Sequence, residues 1–296
     1  MKKKVITRRD FLRVAAMTPF AGAFASSLKA REKPSFDKAR VVLIRDKSAL
    51  ISFNKPNPEV IQRMLDDAVA ALLAEKDPLD AWRKLILPSD IVGIKSNVWH
   101  YIPTGSVIEQ ALKRRVMDAG VPEDRIGISD RGVRRNRVFQ KATALINARP
   151  ARTHHWSGMG TCLKNYITFA RWLPSYHPDS CADLAKLWYL PQVKGKTRLN
   201  ILIMLHPLFH GIGPHHFSRK YTWEYNGILV GQDPVAVDTT GLRILQAKRR
   251  EFFGRERALQ VPAKHIFLAD TRHRLGVSDP NRIELIMLGW KEEILI

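Results

Sequence analysis

Two acids, two lysines and a run of histidines are the residues through which this chain could do chemistry. Asp233 and Asp238 stand five residues apart in the run QDPVAVD. Lys95 and Asn97 end the run DIVGIKSN, and Lys164 and Asn165 lie inside LKNY. His206, His210, His215 and His216 fall within eleven residues of a Gly/Pro-punctuated stretch, a composition suited to a metal. Lys95 and Lys164 would neutralise an anionic substrate and Asn97 and Asn165 would orient it. Asp233 and Asp238, with His206, would bind a cation or move a proton. In its sharpest form this reading places one divalent ion on His206, His215 or His216 together with Asp233.

The elements that must position these groups are legible in part. Asn226 to Gly231 is a short apolar run of the kind a buried strand needs, and it stops at a helix-start signal. Asp233 suits the N-cap and Pro234 the first helical position, where a missing donor costs nothing. That places Asp233 at a strand's carboxyl end, where open α/β sheets bind ligands. Asp238 falls on the same stripe as Val235, Gly241, Leu242 and Leu245, so its carboxylate is expected to be buried and to need compensation by a cation, backbone donors or a proton.

Elsewhere the pattern alternates. Ala39 to Arg45, Ile91 to Lys95, Arg125 to Ser129, Leu199 to Leu205 and Arg282 to Leu288 read as strands. Pro58 to Ala74, Ser106 to Ala119, Arg137 to Asn147, Thr161 to Phe169 and Ala263 to Arg274 read as helices. Such alternation predicts an α/β fold, a mixed, largely parallel sheet with helices on both faces. Residues 31–296 are expected to form one domain, with 172–195 as a separate cap. The small residues Ser157, Gly158 and Gly160 before the LKNY helix would let a backbone approach an anion closely. Asp130-Arg131-Gly132 reads as an anion-binding turn or as an ordinary one.

The runs YNGILVGQDPVAVDTTG, LKNY and DIVGIKSN resemble the domain-of-unknown-function-362 family in its exported branch, over roughly residues 38 to 290. The resemblance implies an export route and a set of site positions, and no reaction. It also implies an acidic residue where His206 stands. Some relatives carry a ferredoxin-like cysteine cluster; with two cysteines this chain has no intrinsic four-cysteine iron–sulfur site.

The first thirty residues read as a targeting segment. Met1 to Arg9 is basic, Thr7-Arg8-Arg9-Asp10-Phe11-Leu12 matches the twin-arginine pattern, and Val14 to Ala25 is apolar but too short to span a bilayer. The expected partner during export is the twin-arginine translocase and the destination the periplasm, with cleavage after Ala25 or Ala30. Removing residues 1–30 takes away seven basic residues and one acid, so the formal charge of +21 falls by 6 to +15. So basic a surface attracts anionic metabolites and membrane headgroups, and in the periplasm no nucleic acid is expected.

Cys162 and Cys181 could pair as a disulfide, Cys181 could share a metal with His177, or both could simply pack. No P-loop, nucleophile elbow, HExxH pair or GxGxxG after a strand is present. Two readings follow: a metal-assisted enzyme acting on a small acidic metabolite, or a non-catalytic periplasmic protein that binds an anionic ligand or a metal.

Overall fold

A computed structural model describes residues 38–211 and 217–296. The leader with its twin-arginine pattern, and His215 and His216, lie outside the described residues. Residues 36–296 cluster as one compact unit.

The fold is α/β, built on one large sheet. Strands β1 (Ala39–Arg45), β4 (Val92–Lys95), β5 (Ile126–Ser129), β6 (Ala144–His154), β8 (Thr197–Leu208), β9 (Gly227–Gly231) and β10 (Ile283–Gly289) lie in the order β10-β1-β9-β8-β6-β4-β5. A short β7 (Gly158–Gly160) pairs antiparallel with the end of β6, and β2 (Leu50–Ser52) and β3 (Lys55–Pro56) form a separate hairpin. All pairings on the main path are parallel except those of β9, which runs antiparallel to β1 and β8.

Alternation along the strands divides the core. Val42, Ile44, Ile94, Ile146, Ile201 and Val230 face helices α1 (Pro58–Leu73), α2 (Pro78–Leu85) and α3 (Ser106–Asp118). Helix α1 forms for reasons visible in its sequence: Asn57 caps it, Pro58 opens it, and Ile61, Met64, Leu65, Ala68 and Leu72 make one buried stripe.

On the opposite face, Val41, Leu43, Leu202 and Leu229 pack against α7 (Pro234–Phe253), the longest helix among the described residues. Gly241 lets α7 close on the sheet, since a Cβ there would lie 2.3 Å from Leu202 Cδ2. The same face carries α4 (Arg137–Lys141), α5 (Cys162–Asn165) and α8 (Lys264–Thr271). Residues 172–195, which include the short α6 (Pro178–Cys181), contribute Cys181, Leu184, Ala185 and Leu187 to the core that holds Leu163, Tyr166 and Ile266.

Two expectations fail here. The helix expected over Arg137–Asn147 ends at Lys141, and the chain then enters β6, an eleven-residue buried strand. Its sequence, ALINARPARTH, hides it, because polar side chains occupy one face and Pro150 argues against a central strand. The ladder tolerates Pro150 because its register with β8 shifts between Pro150 and Arg152. The second correction concerns β8, which runs past Leu205 to Leu208, so His206 is a buried strand residue and not part of a loop.

Candidate functional site: a buried cation cluster

Residues in register on adjacent strands build the floor of the site. Lys95 on β4 lies opposite Asn147 on β6, Asn147 opposite Asn200 on β8, and Asn200 opposite Gly231 on β9. Asn147 alternates with Leu145 and Asn200 with Leu202, so this polar row lies on the α7 face. Asn147 Nδ2 donates to Asn200 Oδ1 at 3.1 Å and to the Cys162 carbonyl at 3.1 Å, and Asn165 Nδ2 donates to Asn147 Oδ1 at 2.8 Å.

Lys95 is fully buried at one end of the row. Its ammonium donates to Asp130 Oδ1 at 2.6 Å, to the Ser96 carbonyl at 2.6 Å and to Asn165 Oδ1 at 3.3 Å. Burial pushes its pKa down to about 8 although Asp130 supports the charge. Burial favours neutral Asp130, yet Lys95, the Val98 N–H and Arg149 together hold that carboxyl below its ordinary value.

Asp238 is fully buried on α7, and its compensation comes from backbone donors. The N–H groups of Cys162 and Leu163 donate to it at 2.9 and 2.8 Å, and the Thr161 hydroxyl donates a further bond. The carboxylate thus satisfies the free donors at the start of α5. Burial still pushes its pKa up to about 7.

Above this floor β6 supplies two arginines that composition alone had not marked. Arg149 and Arg152 are 3% and 4% exposed, and Lys164 on α5 is 2% exposed. Arg149 Nε, Arg152 Nε and Arg152 Nη1 are buried with no hydrogen-bond partner among the described residues. The Arg152 guanidinium lies over the Trp99 ring at 4.2 Å. Lys164 Nζ meets the Cys181 thiol at 3.4 Å and stands 5.9 Å from the Trp156 ring. Burial, and then the Cys181 and arginine fields, leave Lys164 at about 8.

The three cations interact electrostatically with one another, and the neighbouring imidazoles add no counter-charge. Burial and the surrounding cations hold His154 and His177 below the ordinary imidazole value and put His265 at about 3. Gly160 completes the arrangement: a Cβ there would lie 2.9 Å from Arg149 Nη2 and 3.5 Å from His154 Cδ2.

Asp233 and His206 separate from this cluster, while Asn97 stays next to it, between Ser96, which Lys95 binds, and Val98, which binds Asp130. Because β9 is antiparallel, its carboxyl end leads to the edge of the sheet where β8 begins, and Gln232 Nε2 donates to the Arg198 carbonyl at 3.4 Å. Asp233 is therefore not on the rim where β4 and β5 end. Its carboxylate caps α7 through Val235 and Ala236 N–H at 2.8 and 3.1 Å and accepts from Val277 N–H at 2.8 Å. Asn97 shapes the turn after β4, its N–H donating to Thr104 Oγ1 at 2.9 Å.

The His206 ring meets Asn54 Oδ1, packs against Phe53 and is pushed down to about 4 by burial and Arg219. No three His, Cys, Asp or Glu side chains form a metal-binding group among the described residues, and His206 lies near the end of β8 whereas Asp233 follows β9 close to where β8 begins. Cys162 and Cys181 are both free and buried.

One signal in the sequence could have found the arginines. From Arg131 to Pro178 there is no acid, while nine Lys and Arg residues occur. Cations buried from such a segment must find counter-charge elsewhere in the chain or in a ligand.

Searches of curated proteins and of solved structures return no match to this chain. A family model does match: residues 116–243, which include Asp130, Arg149, Arg152, Lys164 and Asp238 but not Lys95, fit the family described as Domain of unknown function (DUF362), in support of the family resemblance.

Proposed function

We propose that the protein binds a small anionic ligand at the cluster of Arg149, Arg152 and Lys164. One observation carries this reading: buried cations with unpartnered N–H donors and too few acids to match them. Lys95, Arg149, Arg152 and Lys164 are buried, and the buried acids that act on this group are Asp130 and Asp238, so four basic groups stand against two acidic ones, an excess of two. Asp130 is engaged by Lys95, and Asp238 by the start of α5. A buried charge without a partner costs several kcal/mol, and an anion would offset that cost. The basic composition would also draw anions toward the protein over longer range.

The test is a melting series of the full chain with phosphate, sulfate, succinate and acetate at fixed ionic strength. A saturable rise in Tm with at least one of them is expected, and no saturable rise with any of them would end the proposal. The same experiment has a pH signature. Lys164 faces Cys181, Arg149, Arg152 and His177, and it loses its proton near pH 8, which takes one positive charge from the cluster. Affinity should therefore weaken above about pH 8, by about tenfold per pH unit.

We further propose that residues 1–30 direct export to the periplasm by the twin-arginine route, on the strength of Arg8-Arg9 and the apolar stretch after them. Replacing both arginines by lysine should leave the protein in the cytoplasmic fraction; unchanged export of that variant would refute the route.

A further inference from the structure

We propose that the ligand is a phosphate-type dianion, inorganic phosphate or a phosphate monoester, gripped through the Arg152 fork with Arg149 and Lys164 around it. This rests on the anion-binding reading above and narrows it to a chemical class. Three features of the geometry point to that class.

The first is charge. The excess of two positive charges is matched by a single phosphate group, which carries about −1.5 to −2 near neutral pH. A lone carboxylate supplies half of that, and a dicarboxylate supplies it at two separated points.

The second is the state of the donors. The Arg152 guanidinium carbon lies 4.2 Å from the centre of the Trp99 ring, while Nε and Nη1 remain unpartnered among the described residues. A guanidinium anchored over a ring with two N–H donors left free on different sides offers charge-assisted bonds that phosphate oxygens accept. Arg149 contributes another unpartnered donor at Nε. A tetrahedral group with three or four acceptor oxygens can serve donors arriving from several directions, whereas a planar carboxylate serves one plane.

The third is closeness. Arg149 Nη2 lies 2.9 Å from the position a Gly160 Cβ would occupy, so the end of β7 is tight against the arginine, and Lys164 on α5 lies within the arginine's field. Cations from a strand and from a helical turn are thus held within one another's field, which suits one compact, highly charged group.

Titration calorimetry on the full chain tests the class with inorganic phosphate, glycerol phosphate, succinate and acetate, and with vesicles containing phosphatidic acid. Phosphate is expected to bind at least tenfold more tightly than succinate or acetate. Its affinity should rise between pH 5.5 and 7 as the second phosphate proton leaves, with the bound 31P signal reporting the dianion at pH 6. Tight binding of glycerol phosphate supports a soluble ester, and binding of the phosphatidate vesicles alone supports a lipid source of the same group.

Arg152→Lys, which keeps the charge and loses the fork, should weaken phosphate at least tenfold. Should that variant fail to fold, Lys164→Gln on the other element should show a comparable loss. Tighter binding of succinate than of phosphate overturns the class and leaves the anion-binding reading standing. No binding of any anion removes both, and wild-type phosphate affinity in the folded Arg152→Lys or Lys164→Gln protein places the site elsewhere and overturns the proposal.

Discussion

Arg152→Met is expected to raise the Tm of the ligand-free protein while cutting anion affinity by about two orders of magnitude. Arg152 is 4% exposed, two of its nitrogens lack hydrogen-bond partners among the described residues, and burial together with Arg149 disfavours its charge. Methionine keeps much of the stem's volume over Trp99 and removes the charge. The desolvation cost disappears, and so does repulsion from Arg149 and Lys164.

Replacing buried charged groups by apolar ones of similar volume has stabilised other proteins by about 1–4 kcal/mol, which for a chain of this size is several degrees in Tm. The affinity loss follows from the same change, since each charge-assisted hydrogen bond contributes about 1.5–3 kcal/mol. Wild type gains stability from the anion by mass action and the variant gains little, so their Tm values should cross as phosphate is added. A variant that melts below wild type without ligand would show that Arg152 serves the fold and not a ligand.

The second large effect belongs to the pair beneath the cluster. Asp130→Asn keeps an acceptor for the Val98 N–H but withdraws the carboxylate 2.6 Å from Lys95, leaving a fully buried ammonium without its counter-charge. Breaking a buried pair in this way costs about 3–5 kcal/mol, measurable by urea denaturation at neutral pH.

The pH dependence separates this electrostatic cause from a packing defect. In wild type the folded value of Lys95 is about 8, below its ordinary 10.5, so between those pH values the unfolded chain holds a proton the native state has lost. Stability from this group therefore rises with pH across that window. Asp130 is shifted the other way: its contribution is present above the ordinary carboxylate value of 3.8 and is lost as the pH falls through the lowered folded value. In Asp130→Asn the Lys95 value drops further, because Arg149 remains nearby and the carboxylate charge is gone. Native Lys95 then sheds its proton earlier, and the deficit against wild type should narrow as the pH rises to about 8. A deficit that stays constant from pH 6 to 9 would point to lost packing instead.

Much of the scaffold is legible in the sequence alone. Helix α1 announced itself by a cap, a proline and a helical stripe, and α7 by Asp233-Pro234. Strands β1, β4, β5 and β10 were readable as apolar runs of the right length, nearly continuous in β1 and β4 because most of their residues are buried. The burial of Asp238 and its need for donors also followed from helical spacing, although which donors answered it did not.

Local sequence determined most of the elements, the helix caps and the depth of Asp238, since each depends on neighbours within a few residues. Tertiary structure alone decided the site. The reversed direction of β9 carried Asp233 away from the rim to which sequence order had assigned it, because strand polarity is set by pairing partners far along the chain. The central strand β6 broke the local rules with Pro150 and two arginines, and only its place between β4 and β8 makes it a strand. Pairing across the sheet is also what buries Arg149 and Arg152 beside Lys164. Charge excess is a property of what surrounds a group, and that environment exists only once distant segments have packed together.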